Sequence, residues 1–398
     1  MARKRAAKKI AANKKGAEQI PANKKDAAGM FPHLMLKEIY EQPQAIRDTV
    51  SKHVSGEVIF PAELDAIEGA LASFKKIIIA ASGSSRHAGL AGEIMIEDLA
   101  GVSVDVEYSS EYCYRSTHAD ADPIVLVVTQ SGETADTIAA QREALARGAK
   151  TIAISNVAGS TIAREASAHL LTYASNEAAI PATKSFTAQL VILHLFALFL
   201  ARKRGRVTAE VLRSRLARIA ELPELLENSL GAWNSQAAEC ARQFKNVRAF
   251  LYLGRGVHYA IAREGALKLK EISYAQAEGI PAGELKHGPN ALVNEHLPVV
   301  VIATCDDADP DSVLRYERTL SVIEYVRAEG GKVIAIANHG SREVQRAATH
   351  TLFVPATTEL LLPALEVVPL QLFAYHLAVL NGCDPDRPRN LVKAVVTE

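Results

Sequence analysis

Glu264, Lys268 and Glu271 recur at spacings of four and three residues in the run EGALKLKEISYAQAEGIPAGELKHGP, residues 264–289. On a helix, at about 100° per residue, they fall within an arc of roughly 60°, so one ammonium sits between two carboxylates. An ammonium so placed holds one carboxylate ionised while the other faces a pocket, which is how a general base is tuned. The same spacing also suits a solvated face of helix-stabilising pairs, the plainer reading on composition alone. In the AGELKHGP that follows Tyr274, Gly283, Gly288 and Pro289 bracket Glu284, Lys286 and His287. They predict a tight turn rather than a helix or strand. His287 lies 16 residues beyond Glu271. That separation lets a returning loop aim an imidazole at a substrate already on the helix.

Two other segments have the chemistry of an anion site. The β-branched run Ile77-Ile78-Ile79-Ala80-Ala81 leads into Ser82-Gly83-Ser84-Ser85, and Ile124-Val125-Leu126-Val127-Val128 leads into Thr129-Gln130-Ser131-Gly132-Glu133-Thr134. Each predicts strand, hydroxyl-rich turn, helix, where an open parallel sheet binds its ligands. Small hydroxyl residues and glycine let backbone N–H groups approach a phosphate, and the next helix N-terminus adds its positive dipole end. No Walker lysine follows either turn, which argues against nucleotide hydrolysis. One Ser-rich turn alone is more often an ordinary helix cap.

The runs EGALKLKEISY and AGELKHGP resemble the isomerase half of glucosamine-6-phosphate synthase. The resemblance extends from MLKEIYEQP at 35–43 to DPDRPRNLVKAVVTE at 384–398. The paired turns, TQSGET above all, resemble the sugar-phosphate site of the sugar isomerase (SIS) domain. For this sequence the resemblance implies that Ser84, Ser85, Thr129, Gln130, Ser131 and Thr134 contact a phosphorylated hexose. It further implies that Glu271 moves a proton between C1 and C2, that His287 opens the sugar ring, and that Lys393 forms a Schiff base with the ketose. Glu264 and Lys268 then belong to the same catalytic face. A ketose–aldose shift does need a base poised near neutral pH and a ring-opening group close by. Lys393 follows Pro385, Pro388 and Arg389 in a segment whose apolar residues can pack it down despite its terminal position. Two positions depart from the family: Ala182 replaces a serine that touches the sugar, and Thr129 replaces a serine of the phosphate turn. Thr129 keeps the hydroxyl, whereas Ala182 loses a donor and can relax sugar choice. Arg86 and His87 add positive charge near the pocket.

Internal repetition sets the architecture that must position these groups. ARGAKTIAISN at 146–156 recurs as AEGGKVIAIAN at 328–338, an offset of 182 residues, and LYLGRGVHYA at 251–260 echoes the turn at Gly83. The fold class is α/β, with two tandem doubly wound parallel-sheet SIS domains. The expected boundaries are a basic disordered tail at 1–30, a helical lead-in at 31–66, a first domain at 67–205, a helical connector at 206–240, a second domain at 241–383 and a catalytic tail at 384–398. The charged stretch 203–245 is taken as helical and broken by Pro223. Residues 190–202, LVILHLFALFLAR, read as a buried helix too short to span a bilayer.

Composition narrows the function classes. Of 398 residues 48% are hydrophobic, enough for sizeable cores. Nine basic side chains against two acidic ones give the first thirty residues +7, and a net charge of zero leaves −7 for the remainder. The tail reads as a solubilising extension, without the apolar core of a signal peptide. Cys113, Cys240, Cys305 and Cys383 have no metal or redox spacing, no His cluster is present and no GxGxxG run occurs, so neither metal nor cofactor is expected. A cytoplasmic location fits, and neither nucleic acid nor membrane is expected as a partner. The synthase family carries a glutaminase domain ahead of MLKEIYEQP, where this sequence has the basic tail. Free ammonia is therefore expected, in the interconversion of glucosamine 6-phosphate and fructose 6-phosphate, with deamination as the leading direction. Two alternatives stay open: the isomerase subunit of a split synthase or deglycase served by a separate glutaminase, and a non-catalytic sugar-phosphate sensor. The resemblance also implies a homodimer with shared active sites, His287 completing the site of the neighbouring chain.

Overall fold

The computed structural model describes residues 31–115 and 123–396. The basic segment at 1–30, and the expectation attached to it, lies outside the described residues. Strands β1 (Lys76–Ala81), β2 (Ser103–Tyr108), β3 (Ile124–Val128), β4 (Lys150–Ser155) and β5 (Ala168–Leu171) form a parallel sheet in the order β2-β1-β3-β4-β5. Strands β6 (Ala249–Gly254), β7 (Gln276–Pro281), β8 (Val299–Ala303), β9 (Val333–Asn338) and β10 (His350–Val354) form a second parallel sheet, ordered β7-β6-β8-β9-β10. The winding is the same in both, so the chain holds two doubly wound α/β domains. β3 and β8 are buried along their whole length, as helix-covered parallel strands must be. In each sheet the chain reverses its direction of winding between the first and third strands, β1 and β3 or β6 and β8, which opens a crevice there.

The principal helices are α1 (Leu34–Tyr40), α2 (Gln42–His53), α3 (Gly83–Ala100), α4 (Ala135–Ala146), α5 (Lys184–Lys203), α6 (Ala209–Gln243), α7 (Val257–Ser273), α8 (Pro310–Ala328) and α9 (Leu362–Leu380). α3 packs on α5, α7 on α9, and α3 against α7 across the two domains. Close approach of α7 to α9 depends on Gly265, where a Cβ would lie 2.8 Å from Leu370 and 3.0 Å from Tyr252.

Three local expectations are corrected, and one strand was not anticipated. α6 runs unbroken through Pro223: Leu216, Ile219, Leu222, Leu226 and Leu230 bury one continuous face. Each fully buried side chain of this kind is worth about 1.5–3 kcal/mol, which offsets the roughly 3 kcal/mol of an interior proline. Residues 190–202 belong to a longer helix, the 20-residue α5. This helix and Glu359–Leu380 are long and apolar enough to cross a membrane, yet 94% of each apolar window is buried inside the fold. Burial, not shortness, accounts for their composition. AGELKHGP is a pair of 3-10 helices, Ala282–His287 and Pro289–Leu292, joined at Gly288 with φ 131°. Ahead of it the sequence reading missed β7, because its Gly279 and Pro281 mask a strand that pairing with β6 imposes.

Candidate active site

α7 places its ionisable face as its spacing predicts. Lys268 Nζ lies 2.6 Å from Glu271 Oε2 and 3.5 Å from Glu264 Oε1. Glu264 and Lys268 are buried, while the Glu271 side chain keeps 20% of its surface open. Glu271 is thus the member of the triad that a substrate can reach. Burial opposes the Lys268 charge, yet Glu271, Glu264 and Glu177 together raise its pKa above the ordinary lysine value. The ammonium stays charged and cannot act as a base.

α3 supplies a residue that sequence reasoning left without a contact. His87 Nδ1 lies 2.8 Å from Glu264 Oε2 and joins the two domains directly behind the triad. Arg86 stacks 3.8 Å above the Tyr108 ring. The adjoining interdomain cleft of about 460 Å3 is lined by Gly83, His87, Arg263 and Lys270, among others.

The hydroxyl turns stand at the crevice of the first sheet. α3 begins at Gly83, next to Ser82, and α4 begins at Ala135, after Thr134; neither N-terminus has a side-chain cap. Helix ends without a side-chain cap leave N–H groups for an anion, although Ala135 N at the start of α4 is taken by the tail. Thr129 Oγ1 and Thr134 Oγ1 are 3.0 Å apart, Ser131 Oγ accepts from Glu133 N, and Ser85 Oγ accepts from Gln189 Nε2 at 3.0 Å. Ser84 and Gln130 are half-buried. Gly132 has φ +70°, and a Cβ there would run into the Ser160 hydroxyl, so the turn needs glycine at this position.

The C-terminal tail ties the two parts together. Lys393 Nζ donates to Glu177 Oε2 at 2.7 Å and to the Ala179 carbonyl at 2.7 Å, and Ala135 N at the start of α4 donates to the Val395 carbonyl at 2.9 Å. Apolar packing was expected to hold this tail, but Val392, Val395 and Val396 are exposed. Polar anchors hold it instead, the Lys393 and Val395 hydrogen bonds just described. Burial opposes ionisation of Glu177, yet Lys393, with donors from Thr183 N and Ser185, lowers its pKa below the ordinary glutamate value. Ala182 lies half-buried in the same loop.

Glu38 of α1 is a second residue the sequence did not single out. Its Oε1 accepts from Ala178 N at 2.6 Å and Ala179 N at 3.3 Å, while Oε2 is buried without a partner. Burial first, then the neighbouring Glu177 charge, pushes its pKa up to about 7. Asp386 of the tail in turn accepts from Leu34 N and Met35 N, each at 2.8 Å, and so caps α1. The only sequence signal was that Glu38 and Glu177 lie in segments that end in proline, MLKEIYEQP and NEAAIP. His287 is not brought to this cluster within the single chain: it is exposed and makes no hydrogen bond or ion pair among the described residues. Nor do the described residues contain a group of three metal-ligating side chains.

The SIS-domain model matches residues 70–199 and 243–381, one copy on each sheet. The chain belongs to the SIS-domain family. The chain is 45% identical over 377 residues to the glutamine–fructose-6-phosphate aminotransferase (isomerizing) of Chlorobaculum tepidum, a match covering 93% of this chain and 59% of that protein. The Thermus thermophilus protein of the same name is 44% identical over 373 residues, covering 93% and 60%. Among solved structures, the C-terminal domain of glucosamine-fructose-6-phosphate aminotransferase from Francisella tularensis matches with a TM-score of 0.84 and 33% identity, over 92% of this chain and 100% of that one. The chain spans about three-fifths of the length of the curated relatives it matches. The SIS pair thus corresponds to the isomerase part of those proteins.

Proposed function

We propose that this chain is a sugar-phosphate aldose–ketose isomerase that interconverts glucosamine 6-phosphate and fructose 6-phosphate with release or uptake of free ammonia. The observation that carries the reading is the junction made by the tail, whose Lys393 shares Glu177 with the field of the Lys268 triad and whose Val395 reaches the N-terminus of α4. A base, an amine and an anion turn are thereby gathered from sequence positions more than 250 residues apart.

In the deaminating direction the open-chain amino aldose loses its C2 proton to Glu271, which returns it to C1, while one proton passes from the C2 nitrogen to the C1 oxygen. The product is the C2 imine of the ketose. Either water adds to that imine and ammonia leaves, or the Lys393 amine displaces ammonia to form its own C2 imine, which water then hydrolyses to the ketose and free Lys393. Lys393 must first shed a proton; the Glu177 carboxylate 2.7 Å away holds its amine in place. The 6-phosphate sits on the Thr129–Thr134 turn, with Ser84 and Ser85 opposite. His287, exposed in one chain, opens the ring of a sugar bound by a second copy in a homodimer.

A second reading is favoured by the two curated relatives described above, which are glutamine-dependent by name. In it the same site runs toward amination, with ammonia passed on by a glutaminase.

Ammonia and fructose 6-phosphate release from glucosamine 6-phosphate, measured with the reverse reaction in ammonium, tests the proposal. Turnover abolished by Glu271→Gln supports it, and partial recovery on mixing Glu271→Gln with His287→Ala chains supports the shared site. Binding of either sugar phosphate without turnover in either direction would refute the stand-alone enzyme.

A further inference from the structure

Tyr274, the residue that ends α7, has φ +59° and ψ 17°, the left-handed conformation in which a helix usually places glycine. A bulky side chain held there stores strain that glycine would avoid, so a contact has to offset it. That contact is with the C-terminal tail. Arg389 N donates to Tyr274 Oη at 2.9 Å, and the Arg389 guanidinium lies 4.1 Å from the centre of the same ring. Tyr274 stands three residues beyond Glu271, and Arg389 four residues before Lys393. One side chain therefore joins the helix of the base to the segment that carries the amine.

The other anchors of the tail lead elsewhere. Asp386 accepts from Leu34 N and Met35 N of α1, its carbonyl accepts from Ile180 N at 3.0 Å, and the Val395 carbonyl accepts from Ala135 N of α4. Lys393 Nζ itself donates to Glu177 Oε2 and to the Ala179 carbonyl. A lysine ammonium has three N–H donors, whereas an imine nitrogen keeps at most one, so a Schiff base at Lys393 gives up at least one of those two bonds. The tail thus loses part of its hold at the amine just as the amine reacts. Among the described residues, Arg389 N to Tyr274 Oη is the sole hydrogen bond that ties residues 384–396 to α7 or its end.

We propose that Tyr274 is a positioning residue for Lys393: its clasp on Arg389 keeps the amine in register with Glu271 while the imine forms and is hydrolysed. The inference rests on the proposed function for the role of Lys393, whereas the clasp stands on geometry alone. Four residues span at most roughly 14 Å of extended chain, so the clasp limits how far the amine can drift from the end of α7. It also sets a cation at the C-terminal end of that helix, where the helix dipole favours one.

Two variants of the full chain test this: Tyr274→Gly, which suits φ +59° without the clasp, and Tyr274→Phe, which keeps the ring and loses Oη. Without sugar, hydrogen exchange of residues 387–396 should quicken roughly tenfold in Tyr274→Gly and by less in Tyr274→Phe, the loss of one hydrogen bond with and without the cation–π contact. With saturating fructose 6-phosphate, deprotonated Lys393 Nζ adds to the C2 carbonyl and water leaves; hydride from borohydride and a solvent proton then reduce the imine to a secondary amine, located on Lys393 by peptide mass. The rate of this trapping should fall by the same factors while the variants melt close to wild type. A purely structural Tyr274 would lower melting and leave trapping by the folded variants unchanged. Tail exchange unchanged in both variants, or a loosened tail with unchanged trapping, overturns the proposal. If wild type itself traps no imine, a loosened tail in the variants keeps the clasp and the role given to Lys393 falls instead; turnover of glucosamine 6-phosphate then shows whether the isomerase reading falls with it.

Discussion

Replacing Glu38 by glutamine should make the protein more stable at alkaline pH, although it alters a buried residue behind the site. Glu38 is 3% exposed; burial first and the Glu177 charge second raise its pKa from 4.5 to about 7. In the unfolded chain the carboxyl ionises near 4.5, whereas in the folded chain it keeps its proton until about 7. The folded state therefore binds the extra proton over that interval. Its stability is complete below about 4.5 and declines as pH rises through 7. The full difference corresponds to about 3 kcal/mol. Glutamine copies the protonated acid: its oxygen accepts from Ala178 N and Ala179 N, and it cannot ionise. The variant should match wild type near about pH 5 and exceed it by about 3 kcal/mol near about pH 8, or about 4 °C in Tm for a body of this size. Thermal unfolding at both pH values measures this. Equal melting at the higher pH would show that Glu38 is not held neutral, and the electrostatic account of the loop that holds Lys393 would fall with it.

Three further outcomes are expected. Glu271→Gln should lower kcat about 10²–10⁴-fold with little change in KM, because it removes proton transfer and keeps shape, as steady-state kinetics would show. Gly132→Ala should cost about 1–3 kcal/mol and raise KM for the sugar phosphate, since φ +70° and the Ser160 hydroxyl both resist a Cβ; unchanged melting and KM would contradict the turn geometry. Asp386→Ala should remove about 0.5–2 kcal/mol of capping from α1 and release the tail that carries Lys393, seen as faster proteolysis after residue 386 and a lower kcat.

Much of this protein was legible in one dimension because its signals are local. The β-branched runs before Ser82 and Thr129 become β1 and β3, the 182-residue repeat becomes two sheets of identical order, and the spacing of Glu264, Lys268 and Glu271 becomes one buried ionic face. Strand period, helix period and turn chemistry act over a few residues, so the chain displays them directly. β7 and the continuity of α6 through Pro223 escaped because packing overrode local preference. Glu38, Glu177 and His87 escaped for another reason. Their importance lies in partners 139, 216 and 177 residues away, Glu177, Lys393 and Glu264, and no local pattern encodes such pairings. The sequence by itself determined which groups were available for proton transfer and anion binding. Tertiary structure alone decided which of them share a dielectric environment, and coupling between charges depends on distance and burial that only the folded chain sets.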